Sequence, residues 1–151
     1  MEFIIRKSLT SDKKWLYDLY RTTLRDYIDK TWGWDEVFHK NQFETNLLPT
    51  KFKIIMVNNE DVGAYLLKDE SEYHWLEMFF IHPKMQRAGL GSGIISCLQA
   101  DSLKAGKPLR LSVLKVNPAK EFYSRHNFKV YDEDEASYKM QWVHHALTQL
   151  N

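Results

Sequence analysis

The residues best suited to bind an anion lie in a glycine-rich stretch from Ile81 to Gly93, whose sequence is Ile-His-Pro-Lys-Met-Gln-Arg-Ala-Gly-Leu-Gly-Ser-Gly. Glycine allows close backbone approach and unusual dihedral angles, so successive N–H groups can converge on a negative charge where a helix begins. Phosphate is the natural ligand of such a turn, and a tight connection without a ligand is the alternative. The stretch lacks both the Gly-Lys-Ser/Thr of a Walker A loop and the G-x-G-x-x-G spacing of a dinucleotide fold.

Two other residues could do acid–base chemistry. Glu77 is the one carboxylate between Tyr73 and Ile81, and a carboxylate in an apolar strand could accept a proton from an ammonium group. A salt-bridged or outward-facing glutamate is the alternative. Tyr123 follows the pair Asn117-Pro118, and its phenol could donate a proton or a hydrogen bond to a developing negative charge, or could be a core aromatic.

The elements that would position these residues follow from the hydrophobic patterns and the turn residues. The predicted order is β-α-α-β-β-β-α-β-α-β-β, with an antiparallel meander from 52 to 81. Trp32-Gly33-Trp34 is expected to separate the first two helices, and Gly106 is expected to close the third. Predicted strands cover 2–7, 52–57, 62–67, 73–81, 109–116, 128–131 and 137–142, and predicted helices cover 11–29, 35–47, 89–104 and 118–127.

Two segments in this order resemble the GNAT superfamily of N-acetyltransferases. Gln86-Arg87-x-Gly89-x-Gly91 is similar to the acetyl-CoA loop of that family, Gln/Arg-x-x-Gly-x-Gly/Ala. The segment from Asn117 to Phe128 is similar to the family's Asn-x-x-Ala/x-x-x-Tyr-x-x-x-Gly-Phe, with Asn127 where glycine is usual; asparagine tolerates the left-handed conformation that ends a helix. The resemblance covers about residues 2–142. It implies an α/β (α+β) fold, in which helices flank a mixed, mostly antiparallel sheet of about seven strands. The length of 151 residues predicts a single domain over 1–151.

The resemblance also implies a function and a site. The implied function is acetyl-CoA-dependent transfer of an acetyl group to a primary amine, directly within a ternary complex, and a non-catalytic acyl-CoA binding or sensing domain is the alternative. Tyr123 would be the general acid and Glu77 the base. Asn117 would lie near the CoA arm and could also cap a helix. The CoA arm would pair with the strand that contains Met78 to Ile81, where two parallel strands separate. The implied acetyl-CoA contacts are Phe79, Ile81, Gln86, Arg87, Ala88, Gly89, Leu90, Gly91, Ser92, Asn117 and Tyr123.

The predicted acceptor site lies at the junction of the first two helices, because this junction borders the acceptor site in the resembled family. Tyr27, Trp32 and Trp34 are the candidate substrate-binding residues, and aromatic rings beside carboxylates suit a cationic ligand. The alternative is that these rings belong to the core and that the acids form a solvated helix face. The neighbouring carboxylates are Asp26, Asp29, Asp35 and Glu36.

Charge and composition exclude other classes of protein. The formal net charge is +1, which argues against a general nucleic-acid binder. Residues 84–129 nevertheless hold 9 Lys/Arg against 2 Asp/Glu, which favours a small polyanionic ligand in this region. The longest apolar stretch contains Glu77 and is too short to span a membrane. We therefore expect no nucleic-acid or membrane partner, only acetyl-CoA and an amine, and a monomer or homodimer.

Cysteine and histidine usage point to a cytoplasmic protein without a metal. Cys97 is the single cysteine, so we expect no internal disulfide, a reducing compartment and burial of Cys97 in the core. His144 and His145 are adjacent and cannot readily share one metal. His74 and His82 are weaker catalytic candidates, because histidines at strand ends are expected to be solvated.

Overall fold

The computed structural model describes residues 2–46 and 49–144. Strands and helices follow each other in the predicted order, and short 3₁₀ turns lie at Thr10–Asp12, Pro49–Lys51 and Pro83–Met85. The strands are β1 (Ile4–Lys7), β2 (Lys53–Val57), β3 (Glu60–Asp69), β4 (His74–Ile81), β5 (Leu109–Leu114), β6 (Lys129–Glu133) and β7 (Ser137–Trp142). The helices are α1 (Lys13–Trp32), α2 (Glu36–Asn46), α3 (Leu90–Ala105) and α4 (Ala119–Arg125).

One sheet contains all seven strands, in the order β1-β2-β3-β4-β5-β7-β6. The pairs β1–β2, β2–β3, β5–β7 and β6–β7 are antiparallel, whereas β4 and β5 are parallel. This mixed, mostly antiparallel sheet confirms the predicted fold class. The parallel register extends from His74–Leu109 to Leu76–Leu111, although β4 continues to Ile81 and β5 to Leu114.

By their contacts, the described residues form two compact units. The first unit contains the residues up to Leu66 together with Met78–Leu90, and the second contains Leu67–Glu77 and the residues from Gly91 onward. The core of the first unit combines aliphatic side chains with aromatic rings, among which Phe43, Phe52 and Phe80 are almost completely buried. Aliphatic side chains dominate that of the second, among them Ile94, Ile95, Leu98, Leu109, Leu111 and Met140. The assignment of residues 1–151 to a single domain stays a prediction.

In the first unit, polar side chains and one glycine define the ends of α1 and α2. Arg6 holds both carboxylate oxygens of Asp12, just before α1, at 2.9 Å. The helix runs through Trp32 and ends at Gly33, whose φ is +85°. The predicted end at residue 29 is therefore wrong, because a residue with positive φ stops the helix only at 33. Asp35 caps α2 as predicted, since its Oδ1 accepts the Phe38 N–H at 3.0 Å.

In the second unit, α3 ends as predicted at Gly106, whose φ is +69° and whose N–H donates to the Leu103 carbonyl at 3.0 Å. Cys97 on α3 is exposed, so the prediction that it packs in the core is wrong. It follows two buried residues, Ile94 and Ile95, and points away from the face that they form with Leu98. Within the described parts of the chain, no helix is long and apolar enough to cross a membrane.

Candidate active site

The glycine-rich loop in the first unit is shaped by two side chains and two left-handed residues. His82 Nδ1 accepts the Lys84 N–H at 3.2 Å, and Gln86 Nε2 donates to the Ile81 carbonyl at 3.0 Å. Arg87 and Gly89 have φ values of +67° and +84°. A Cβ atom at Gly89 would meet no other atom within 4 Å. The loop therefore bends sharply and leaves open space next to its backbone.

Backbone donors in this loop have no partner within the chain. In the part of the chain that the structure describes, the N–H groups of Arg87, Ala88 and Gly89 make no hydrogen bond. Leu90 follows as the first residue of α3, and the first N–H groups of a helix have no intrahelical acceptor. A run of free donors at the positive end of a helix fits a phosphate or pyrophosphate group.

In the second unit, Ser92 in the first turn of α3 contacts a residue from the end of α4. Its Oγ lies 3.0 Å from His126 Nε2, and Gln99 Nε2 donates to the His126 carbonyl at 2.8 Å. Burial, and then the nearby Arg125 charge, lower the pKa of His126, so the ring is neutral at neutral pH. Sequence reasoning missed His126, although it lies within the segment from Asn117 to Phe128.

Tyr123 is buried in α4, where two aromatic rings and the backbone hydrogen bonds at the end of the helix fix its position. Its ring lies 5.3 Å from that of Phe122 and 5.5 Å from that of Phe128. The Phe128 N–H donates to the Tyr123 carbonyl and the Asn127 N–H to the Ser124 carbonyl, both at 3.1 Å. Asn127 has a φ of +68°, so these contacts form a Schellman motif with asparagine in the place of glycine.

The hydroxyl of Tyr123 is free to act as a donor. It makes no hydrogen bond to any residue that the structure describes. Burial raises the pKa of Tyr123 far above its ordinary value, because the charged phenolate loses its solvation. The phenol therefore keeps its proton at neutral pH. Asn117 precedes this helix, and its Oδ1 accepts the Ala119 N–H at 2.9 Å, as the capping alternative requires.

Glu77 lies half-buried on β4, where the indole N–H of Trp75 donates to its Oε2. It forms no ion pair with the described residues, which excludes the salt-bridged alternative within this part of the chain. One oxygen is thus held by a neutral donor, and the carboxylate keeps acceptor capacity for a proton. Phe79 and Ile81, further along the strand, are also half-buried.

His74 is not solvated, contrary to expectation. It is buried at the start of β4, with Nδ1 at 2.9 Å from the fully buried Ser102 Oγ. Its Nε2 lies 3.2 Å from Asp69, which also pairs with Lys107 at 2.6 Å. Both ring nitrogens are occupied, so His74 links β4 to its neighbours and is not available for catalysis.

The predicted acceptor residues occupy the junction of α1 and α2 in the first unit. Trp34 stacks on His39 with ring centroids 4.2 Å apart, and its Nε1 donates to Glu36 at 2.5 Å. The Trp34 hydrogen bond, followed by Arg21, lowers the pKa of Glu36. Trp32 is 67% exposed at the end of α1, and Tyr27 is half-buried.

Two of the neighbouring carboxylates have local roles. Asp29 accepts the backbone N–H of Trp34 at 3.0 Å, and Asp35 caps α2. Glu36 is consequently the carboxylate that contacts an aromatic ring of the junction. Among the described residues there is no group of three His, Cys, Asp or Glu side chains that could hold a metal ion, and His145 lies outside them.

The seven-stranded sheet and the glycine-rich loop are those of the GNAT fold. The family model described as an acetyltransferase (GNAT) domain matches residues 23–148. The chain therefore belongs to the GNAT acetyltransferase family, and the resemblance seen in its sequence is confirmed. Comparison with curated proteins gave no match.

Solved structures with the same fold are distant in sequence. PaiA N-acetyltransferase from Thermoplasma acidophilum, solved in complex with coenzyme A, is 20% identical, with a TM-score of 0.68 over 95% of this chain and 100% of its own. PH1933 from Pyrococcus horikoshii is 17% identical, with a TM-score of 0.73 over 95% and 99%. The ribosomal-protein-S18-alanine N-acetyltransferase from Escherichia coli is 18% identical, with a TM-score of 0.67 over 93% and 92%. At these identities the likeness establishes the fold alone.

Proposed function

We propose that the protein transfers the acetyl group of acetyl-CoA to a primary amine by direct attack within a ternary complex. The observation that carries this proposal is the glycine-rich loop, in which Arg87 and Gly89 are left-handed and successive N–H groups have no acceptor. Membership of the GNAT family supports acetyl-CoA as the ligand. So does the coenzyme A bound to the Thermoplasma acidophilum relative.

Acetyl-CoA would be held mainly by the main chain. The N–H groups from Arg87 to Ser92 would donate to the pyrophosphate, with Gln86 bracing the loop through its bond to the Ile81 carbonyl. Phe79 and Ile81 on β4 would pair with the pantetheine arm, and Asn117 would lie near it. Ser92 would add a hydroxyl whose orientation is set by His126.

In the reaction, the neutral amine attacks the thioester carbonyl carbon, a C–N bond forms, and the C–S bond breaks. Glu77 takes the proton that the amine loses, and the electron pair of the broken bond leaves on sulfur as the CoA thiolate. The Trp75 indole N–H holds one oxygen of Glu77, so the other is free to accept the proton. This orientation supports Glu77 as the base.

Tyr123 would stabilise the departing thiolate. An ordinary thiol has a pKa of about 8.5, whereas the pKa of Tyr123 is raised by burial. The phenol therefore carries its proton, and it could donate a hydrogen bond or the proton itself to the developing charge. The unpartnered hydroxyl is suited to this role.

We also infer a cytoplasmic location, since a lone cysteine fits a reducing compartment. The exposed position of Cys97 on α3 strengthens this point, because an exposed thiol is readily oxidised elsewhere. The proposed partners are acetyl-CoA and an amine, without nucleic acid, membrane or metal, and the chain would act as a monomer or homodimer.

A thermal-shift titration with acetyl-CoA, followed by thiol release over a panel of amines, tests the proposal. A ligand that binds only the native state raises the free energy of unfolding by about 2.7 kcal/mol at 100 times Kd, so the melting temperature should rise. No shift at millimolar acetyl-CoA would refute the proposal. A shift without thiol release from any amine would favour the acyl-CoA sensor instead.

Replacing Glu77 with glutamine should lower kcat by about 10²-fold, because a general base contributes at least this much when proton removal limits the rate. Steady-state rates between pH 5 and 9, monitored by thiol release, measure the effect. The matched control is Glu121→Gln on the exposed surface of α4, which should keep the wild-type profile. An unchanged profile in Glu77→Gln would remove Glu77 from the mechanism.

A further inference from the structure

We propose that the acceptor amine also bears a carboxylate and that Arg110 binds this carboxylate. The inference rests on the proposed function and adds the class of acceptor to it. Arg110 lies on β5 within the second unit. Neither the sequence motifs nor the acetyl-CoA site involves this residue.

Three side chains immobilise the guanidinium group of Arg110. Its Cζ lies 4.9 Å from the ring centroid of Tyr73 and 4.9 Å from that of Tyr131, and its Nε donates to Gln141 Oε1 at 3.0 Å. Rings on two sides and a hydrogen bond at Nε fix the guanidinium while both terminal nitrogens remain available. A guanidinium fixed in this way is prepared to bind a carboxylate with two parallel hydrogen bonds.

Arg110 has no acidic partner among the described residues. It forms no ion pair there, and its terminal nitrogens donate no hydrogen bond. Arg6 and Arg21, in contrast, each pair with a carboxylate at 2.9 Å or less. A half-buried cation without a counter-ion has lost part of its solvation. An anionic ligand would replace the missing partner.

The register of the sheet places Arg110 on the same face as the proposed base. Trp75 on β4 is the parallel partner of Arg110, so the two side chains share a face, and Glu77 follows two residues later on that face. Diagonal neighbours in a sheet lie about 7–8 Å apart. A single small ligand with its amine near Glu77 and its carboxylate near Arg110 would therefore span two neighbouring strands.

This face is open enough to receive a ligand. Trp75, Glu77 and Arg110 are half-buried and Ser112 is exposed. The opposite face is closed, since His74, Leu76, Leu109, Leu111 and Val113 are all buried. The rings of Tyr73 and Trp75, 6.3 Å apart, would line one side of the ligand. The acceptor is therefore a zwitterion with an apolar spacer, and this inference replaces the junction of α1 and α2 as the proposed place of the acceptor.

A matched pair of amines tests the inference: 4-(aminomethyl)benzoate and the neutral 4-(aminomethyl)benzamide. The wild-type protein should prefer the benzoate by about 10- to 100-fold in kcat/KM, the range expected for hydrogen bonds to a charged group. Arg110→Gln should lose this preference through KM and leave the rate with the benzamide within about twofold. Arg110→Lys should recover only part of it, because lysine lacks the planar fork.

Lys129→Gln is the control for net charge. Lys129 is exposed on β6, and both Lys129 and Arg110 pair with Gln141 in the sheet. The substitution therefore removes a nearby positive charge without changing the guanidinium group of Arg110. It should keep the preference for the benzoate. An equal loss in Lys129→Gln, or an equal loss for both amines in Arg110→Gln, would overturn the inference. If Arg110→Gln does not fold, Arg110→Lys provides the same comparison.

Failure of this inference is distinguishable from failure of the proposed function. Thiol release with both amines at equal efficiency would support the proposed transferase activity and refute the proposed binding of a carboxylate by Arg110. If neither amine is acetylated, calorimetric titration with 4-(acetamidomethyl)benzoate and its carboxamide measures the discrimination without turnover. Equal affinity of the wild-type protein for these two compounds would also reject the role of Arg110.

Discussion

A loss of acetyl-CoA affinity of about 10²- to 10⁴-fold is the expected result of replacing Gly89 with valine. Each hydrogen bond from a backbone N–H to a charged phosphate contributes about 1.5–3 kcal/mol, and a side chain at this position would displace at least two of them. The space in front of Gly89 is empty of protein atoms, so the valine would meet the ligand and not the fold. Isothermal titration with acetyl-CoA measures the change.

The control for Gly89→Val is Gly106→Val at the other end of α3. Gly106 also has a positive φ and no atom within 4 Å of an added Cβ, so both variants carry a similar backbone strain of about 1–2 kcal/mol. Both should unfold at lower urea concentration than the wild type. Only Gly89→Val should lose acetyl-CoA, and normal binding by this variant would show that the loop is a simple connection.

Replacing Tyr123 with phenylalanine should lower kcat by about 10²- to 10³-fold and leave the Kd for acetyl-CoA nearly unchanged. The range is that of removing one donor to a charge that develops in the transition state, and an interaction made only there affects the rate without affecting ground-state binding. The ring packing against Phe122 and Phe128 is kept. Single-turnover rates and equilibrium titration separate the two quantities.

Tyr138→Phe on β7 is the matched control for Tyr123→Phe. The Tyr138 ring contacts the ammonium groups of Lys115 and Lys120, and these contacts do not need the hydroxyl. The kcat of the Tyr138→Phe variant should equal that of the wild type. Full activity in Tyr123→Phe would show that the hydroxyl has no role in catalysis, and that acetyl transfer depends on the positioning of the reactants by the CoA site alone.

Local sequence signals predicted the order of elements and the helix ends with an explicit capping residue. Asp35, Gly106 and Asn127 each occupy the predicted end, because the responsible side chain or φ angle belongs to the segment itself. The predicted end of α1 is too early, because the sequence Trp32-Gly33-Trp34 does not show which of its residues breaks the helix. Trp32 is compatible with a helix, and only Gly33 takes a positive φ.

Contacts between distant parts of the chain could not be predicted from the sequence. His126 meets Ser92 across 34 residues, and Arg110 meets Gln141 across 31. No local pattern records such pairs, since they depend on strand order and register. The burial of His74 is unpredictable for the same reason, because its buried partner Ser102 lies 28 residues away in the sequence.

In the motif that ends α4, hydrogen exchange of one backbone amide can report on the proposed active site. The Phe128 N–H bonds to the carbonyl of Tyr123 itself, and the Phe128 ring packs on the Tyr123 ring. Opening of this small closed loop would release the amide to solvent and the phenol from its position at the same time. Hydrogen exchange at Phe128 therefore reports, without any substrate, how often the phenol of Tyr123 is out of place.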